Sequence, residues 1–216
     1  MNFFNTIIEF IFPSYCTICK QRGSFLCEKC LISIPHPERD LPRDIYAGFD
    51  YRNKNINQAL LSLKYYGKKR LGFILGEILY ERLLEEISEL KTFYPDKKII
   101  LVPVPITKKR YKNRKYNQAE LIAQGIMKAD KNKIFILNKN VVEKTKDTLP
   151  QAKINDRKKR LKNIKDCFSI KKNKNMSGEI IIVIDDITTT GGTLGEVMNV
   201  LKNAHAKKVI GFAVAH

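Results

Sequence analysis

The most chemically loaded stretch of the chain is residues 180–194, I-I-I-V-I-D-D-I-T-T-T-G-G-T-L. Five β-branched residues, 180–184, predict a strand buried on both faces. Asp185 and Asp186 stand where that strand is expected to end, and Thr188, Thr189, Thr190, Gly191, Gly192 and Thr193 form a hydroxyl- and glycine-rich turn. Leu194, Val197, Met198 and Leu201 then recur at helical spacing. In open parallel sheets, ligands bind beyond the carboxyl ends of the strands. A helix N-terminus after such a turn offers unpaired N–H groups and a partial positive charge to an anion. Threonine hydroxyls, and glycines that let the backbone close in, suit a phosphate. The carboxylates cannot hold that phosphate, but they can accept hydrogen bonds from vicinal ribose hydroxyls. The chemistry is that of a sugar-phosphate cradle.

A second constellation lies near the start. Cys16 and Cys19 form one C-x-x-C, and Cys27 and Cys30 form another seven residues on, with Gly23 between them. Each pair can present two thiolates to one tetrahedral Zn²⁺, and four thiolates close the coordination sphere, so the expected role is structural. Cys167, beside Phe168, is expected to be a small core residue.

The elements that must position these groups follow from the apolar pattern. Residues 99–104 predict a second buried strand, stopped by Pro103 and Pro105 where a substrate loop would begin. Residues 134–137 and 209–215 predict further strands, with Val141 and Val142 extending or following the third. Leu71, Ile74, Leu75, Ile78, Leu79, Leu83, Ile87 and Leu90 predict one face of a long amphipathic helix. The 3–12 stretch predicts a short apolar helix ended by Pro13 and packed on the rest. It carries Glu9 and lacks a basic start, so it does not read as a signal peptide. No apolar run approaches the roughly 20 residues of a transmembrane helix. Cytoplasmic residence is the expectation, with peripheral attachment at the inner membrane left open.

The net charge of +18 favours a polyanionic partner, although much of the lysine belongs to a general compositional bias. Clusters and arginines are therefore more informative. Residues 108–118, K-K-R-Y-K-N-R-K-Y-N-Q, hold six basic residues and no acid, interleaved with Tyr111 and Tyr116. Leu121, Ile122 and Ile126 are expected to continue this run as one helix, with Arg110 and Arg114 on a common face. Residues 144–174 carry twelve Lys and Arg against three Asp, a local charge of +9, and read as a mobile basic arm. Lys64 either reaches a pyrophosphate or is a solvated helix-end lysine.

The loop D-D-I-T-T-T-G-G-T resembles the 5-phosphoribosyl-1-pyrophosphate (PRPP) loop of type I phosphoribosyltransferases, in which two acids precede a T-x-G-x-T or T-T-G-x-T turn. Over roughly residues 10–216 the chain resembles the ComF family, competence proteins with a phosphoribosyltransferase-like domain, of the ComFC type. The family couples a four-cysteine zinc knuckle to that domain. Its K-Y-x-G appears as Lys64, Tyr65, Tyr66 and Gly67, and its P-V-P as Pro103, Val104 and Pro105. Its R-x-x-x-R-G-F-N-Q appears as Arg110, Arg114, Lys115, Tyr116, Asn117 and Gln118. Its T-x-x-Q…R-x-x-N…F segment appears as Thr148, Gln151, Arg160, Asn163 and Phe168. Lys115 departs from the family's glycine, and Lys144 and Lys146 stand where arginines are common.

The resemblance implies an α/β fold: a type I phosphoribosyltransferase-like parallel sheet flanked by helices, with a small N-terminal zinc knuckle. It divides the chain into residues 1–35 (helix and four-cysteine knuckle), 36–95 (linker and helical hood) and 96–216 (the phosphoribosyltransferase-like domain, with basic arm 144–174). It implies that PRPP, with Mg²⁺, is bound by Asp185, Asp186 and the 188–193 turn, with Lys64, Arg110 and Arg114 on the pyrophosphate. Arg157, Lys158, Lys159 and Arg160 are the expected nucleic-acid contacts. The implied role is natural transformation and DNA uptake, with single-stranded DNA and other uptake machinery as partners. The alternative is an active phosphoribosyltransferase moving ribose 5-phosphate from Mg-PRPP to an unidentified acceptor. A 6-oxopurine enzyme is disfavoured, because Thr189 stands where such a loop carries a carboxylate.

Overall fold

The computed structural model describes residues 15–216 except 17, 25, 28, 31–33, 35, 36, 38–40, 147–163 and 173. The expected N-terminal helix, and the basic residues 157–160, lie outside the described residues.

Five parallel strands form the central sheet in the order β1-β7-β6-β2-β3: β1 (Ile45–Phe49), β2 (Ile99–Pro103), β3 (Phe135–Leu137), β6 (Ile180–Ile187) and β7 (Lys208–Ala215). As the unbroken β-branched run implies, β6 is buried on both faces. It runs further than expected, because its pairing with β7 continues through Asp185↔Ala213 and Ile187↔Ala215. Both acids therefore sit on extended backbone at the carboxyl edge, where strand alternation aims them at opposite faces. Ile182 and Ile184 belong to the core on one face, Ile181 and Val183 to the core on the other.

On the first face lie α1 (Lys54–Tyr65), α2 (Arg70–Arg82), α3 (Leu84–Phe93) and α5 (Gln118–Ala129); on the second lies α6 (Gly192–Asn203). The long helix expected from residue 71 to 90 is two helices, broken at Leu83. Leu83 stays right-handed, and Leu83, Ile87 and Leu90 pack in the same core cluster as Leu71, Leu75 and Leu79. Where α2 and α5 cross, side chains are absent: a Cβ on Gly76 would lie 2.0 Å from the Ile122 carbonyl oxygen, and one on Gly125 2.1 Å from that of Phe73. This close approach fixes where the N-terminus of α5 points.

The basic run is likewise not continuous with α5. It forms a separate short helix, α4 (Lys108–Arg114), capped at its start by the Thr107 hydroxyl. Lys115 ends it in the left-handed conformation, φ 65° and ψ 8°. The backbone shape that a glycine would supply is thus kept by a lysine. That conformation costs an L-residue about 1–2 kcal/mol, offset by the roughly 0.5–1 kcal/mol of extra freedom glycine loses on folding. Lys115→Gly should therefore stabilise the chain by about 0.5–1 kcal/mol, raising Tm by roughly 1–4 °C; an unchanged or lower melting point would show that the lysine side chain compensates.

Within the segment expected to be a basic arm, the described ends are ordered. β4 (Val142–Lys144) pairs antiparallel with β5 (Phe168–Ile170), and Ile164, Cys167 and Phe168 are buried beneath them. Cys167 is a core residue, as expected. Val142 accordingly starts this ribbon and does not extend the main sheet. The 36–95 segment contributes β1 to the sheet and α1 to α3 to its core.

Candidate functional site

At the carboxyl edge of the sheet, the end of β6, the turn into α6, the loop after β2, α4, the end of α1 and β4 enclose a cavity of about 300 Å³. That volume suits a small-molecule ligand. Lys64, Arg110, Arg114, Asp185, Asp186, Thr188, Thr189, Thr190, Gly192 and Thr193 all line it. Residues from Lys64 to Thr193, far apart in sequence, are thus brought to one place. Gly191 turns the chain without lining the cavity. Its φ of 75° is left-handed, and its Cα is pressed so closely on Pro42 that a Cβ would lie 2.8 Å from that ring. Its carbonyl accepts the first helical hydrogen bond, from Gly195 N–H at 2.7 Å. Gly192 and Thr193 line the cavity from the first turn of α6, where N–H groups have no carbonyl partner within the helix.

The cavity pairs its charges unevenly. Lys64 Nζ lies 3.3 Å from Asp186 Oδ2, with their side chains 25% and 12% exposed. It is therefore not the solvated helix-end lysine that the sequence left open. Asp186 is the leading cause holding the Lys64 ammonium above its ordinary pKa, against the opposing effect of burial. Asp185 lacks such a close cation among the described residues. Burial, and secondarily the charge of Asp186, push its carboxyl up to about 8, against the pull of the Asp186 N–H, which donates to Asp185 Oδ1 at 2.9 Å.

A folded-state pKa raised above the unfolded one means that the native chain holds the extra proton from about pH 4 to 8, so stability falls as pH rises through that window. Asp185→Asn should remove this loss. At pH 8 the variant should melt about 2–4 °C higher than wild type, equivalent to roughly 1 kcal/mol, and the gap should close towards pH 4. Parallel melting curves at the two pH values would refute the assignment.

The knuckle residues converge as their spacing requires. The sulfurs of Cys16, Cys19, Cys27 and Cys30 all lie within 4.8 Å of one another, and those of Cys19 and Cys27 are 3.6 Å apart. Four sulfurs about 2.3 Å from one ion stand about 3.8 Å apart in a tetrahedron, so the cluster fits a tetrahedral metal. Burial resists charge on Cys16, but the backbone N–H groups of Cys27, Cys19 and Ile18 bring its thiol down to about 6. Burial and then the neighbouring sulfurs push Cys30 up to about 12. Sulfurs this crowded cannot all ionise without a cation between them.

Tyr116 is buried, and its hydroxyl donates to the Leu63 carbonyl, so it is a strut between α1 and α5 and cannot stack on a base. Other cavity residues are named from sequence only as matches to, or departures from, family motifs, with no site role. Gln118, first residue of α5, is 3% exposed and lines the cavity, and its Nε2 is a buried donor with no hydrogen-bond partner among the described residues. Its neighbour Asn117 is used up in positioning: Nδ2 donates to the Val104 carbonyl at 2.9 Å, and Oδ1 accepts from Ala119 N–H. Lys144 lines the cavity from β4, its ammonium 5.1 Å from the Phe168 ring centroid. The motif Y-N-Q pointed at Gln118, but nothing in the sequence says which of three polar side chains remains unpaired.

Comparison with known proteins accords with this architecture. The model for the phosphoribosyl transferase domain matches residues 133–216. Competence protein ComFC of Bacillus subtilis is 36% identical over 107 residues, 50% of this chain and 40% of its own length. Competence protein F of Haemophilus influenzae is 31% identical over 111 residues, 50% of this chain and 46% of its own. These matches thus span less than half the length of either relative. The DNA utilization protein YhgH of Escherichia coli strain K12 is 24% identical over 191 residues, 86% of this chain and 78% of its own. A hypoxanthine phosphoribosyltransferase from Staphylococcus aureus superposes loosely, with a TM-score of 0.37 and 13% identity over 65% of this chain and 62% of its own. With a parallel sheet whose acid pair and threonine turn meet at one edge, a four-cysteine cluster before it, and competence proteins among the proteins it matches, the chain is similar to the ComF family and carries a phosphoribosyl transferase domain match over residues 133–216.

Proposed function

We propose that the protein acts in DNA uptake during natural transformation, in the cytoplasm, binding single-stranded DNA and a PRPP-type ligand. One observation carries the ligand half: acid pair, threonine turn and basic side chains from four separate elements line a single cavity. Asp185 and Asp186 accept the ribose hydroxyls, and the 188–193 turn binds the 5-phosphate through hydroxyls and N–H groups. Arg110, Arg114 and Lys64 neutralise the pyrophosphate, whose partner Mg²⁺ supplies further charge neutralisation when bound. The DNA half draws on the relatives' names and on the basic surface. Among the described residues no helix is long and apolar enough to cross a membrane. We assign zinc to the four-cysteine cluster.

Titration calorimetry with Mg-PRPP tests the ligand half: binding that weakens at least tenfold in Asp186→Asn is expected, and no binding by wild type would end this reading. Anisotropy of a labelled single strand tests the other half, and its affinity should fall steeply with salt.

Turnover is a second reading, favoured by Asp185, which lines the cavity and whose carboxyl is pushed by burial up to about 8, within the range general acid–base chemistry uses. Pyrophosphate release in the presence of an acceptor would establish it.

A further inference from the structure

The rim of the cavity carries a feature the ligand does not need. α1 ends in Tyr65, and from there to Arg70 every residue is exposed: Y-Y-G-K-K-R. Opposite stands α4, whose 108–115 stretch adds six more cations. Neither stretch contains an acid. Three tyrosines on this rim are open to solvent: Tyr65 at 65%, Tyr66 at 75% and Tyr111 at 52%. The Arg114 guanidinium lies 5.5 Å from the Tyr65 ring centroid and joins the two sides. A buried tyrosine is ordinary core, but three exposed ones among nine cations are not. Positive charge that follows a backbone, with aromatic rings for successive bases, is the chemistry of single-strand binding without sequence readout.

We propose that single-stranded DNA lies along this strip across the cavity mouth, and that DNA and the PRPP-type ligand therefore exclude one another. The inference rests on the reading of the cavity as a phosphoribosyl site. Exclusion follows from shared cations: Arg110 and Arg114 both line the cavity and belong to the strip. A guanidinium engaged by a pyrophosphate is not available to a DNA phosphate, and the two ligands' negative charges repel across a short distance. The coupling must be reciprocal, each ligand weakening the other by the same factor.

Anisotropy of a fluorescent oligothymidylate, with and without saturating Mg-PRPP, measures that factor on the full chain; PRPP affinity is measured separately by calorimetry. DNA affinity should drop about tenfold or more with PRPP present. Tyr66→Ala and Tyr111→Ala, neither of which lines the cavity, should each weaken DNA binding by about fivefold or more while PRPP affinity stays within twofold. A strand that binds equally with and without PRPP, and equally to both variants, overturns the shared strip but leaves DNA binding itself standing. A protein that binds no oligonucleotide, or binds anionic vesicles in its place, overturns the strip and the DNA reading together. PRPP binding is unaffected by either result, so failure of the cavity assignment is seen separately.

Discussion

Cys16→Ser should strip the protein of about one equivalent of zinc per chain and lower its Tm by about 6–12 °C, the equivalent of roughly 3 kcal/mol. The metal term is large because four thiolates that repel one another without a cation become ligands with one; removing one leaves three crowded sulfurs and an open coordination position. The folding term is large because the knuckle is not a pendant. Cys16, Leu26, Cys30 and Ile34 belong to the same core cluster as Phe49, Leu60 and Leu79, and each is buried. Loosening the knuckle therefore unpacks part of the main core. Elemental analysis and a thermal melt check both halves. Cys167→Ser is the control: that sulfur is buried on the other face of the sheet, outside the four-sulfur cluster, and its replacement should leave zinc content unchanged. Full zinc in Cys16→Ser would overturn the assignment.

Why these two sites were so legible in the sequence is itself physical. C-x-x-C pairs and the D-D-I-T-T-T-G-G-T turn are local: ligands and backbone lie within a few residues, so spacing carries the geometry. The β6 strand was legible for the same reason, its five β-branched residues having no polar face to offer solvent. What failed depended on distant partners. Tyr116 reads as an exposed member of a basic run until α1 supplies the Leu63 carbonyl, 53 residues away. The break at Leu83 was not legible, because the apolar stripe runs through it and both sides pack in one core cluster. Lys115 is the instructive case, since family resemblance demanded glycine there and the fold imposes glycine's conformation on a lysine regardless. Lys64 was undecidable from sequence because its answer, Asp186, lies more than half the chain away.

That pair makes an asymmetric prediction. Lys64→Ala should destabilise the ligand-free chain by about 1–2 kcal/mol, whereas Asp186→Asn should cost under about 1 kcal/mol. The lysine's removal strands a carboxylate whose side chain is 12% exposed beside the already ionisation-averse Asp185. The aspartate's neutralisation leaves an ammonium on a long, more exposed stem that can turn towards water. Because Asp186 raises the Lys64 pKa, the pair's contribution is present below the unfolded lysine value near 10.4 and is lost only as pH rises through the folded one. The difference between the variants should therefore hold from about pH 6 to 9. The double variant is the decisive arm: with no carboxylate left to strand, Lys64→Ala/Asp186→Asn should be more stable than Lys64→Ala alone. Simple additivity of the two single effects would show that the 3.3 Å contact contributes nothing. For the proposed binding of PRPP the asymmetry disappears. In the structure Lys64 is committed to Asp186, so under the proposed reading a pyrophosphate draws the lysine away as a ribose hydroxyl takes its place on the acid. Each single variant loses one half of that exchange, and both should bind Mg-PRPP at least tenfold more weakly although only one of them is appreciably less stable.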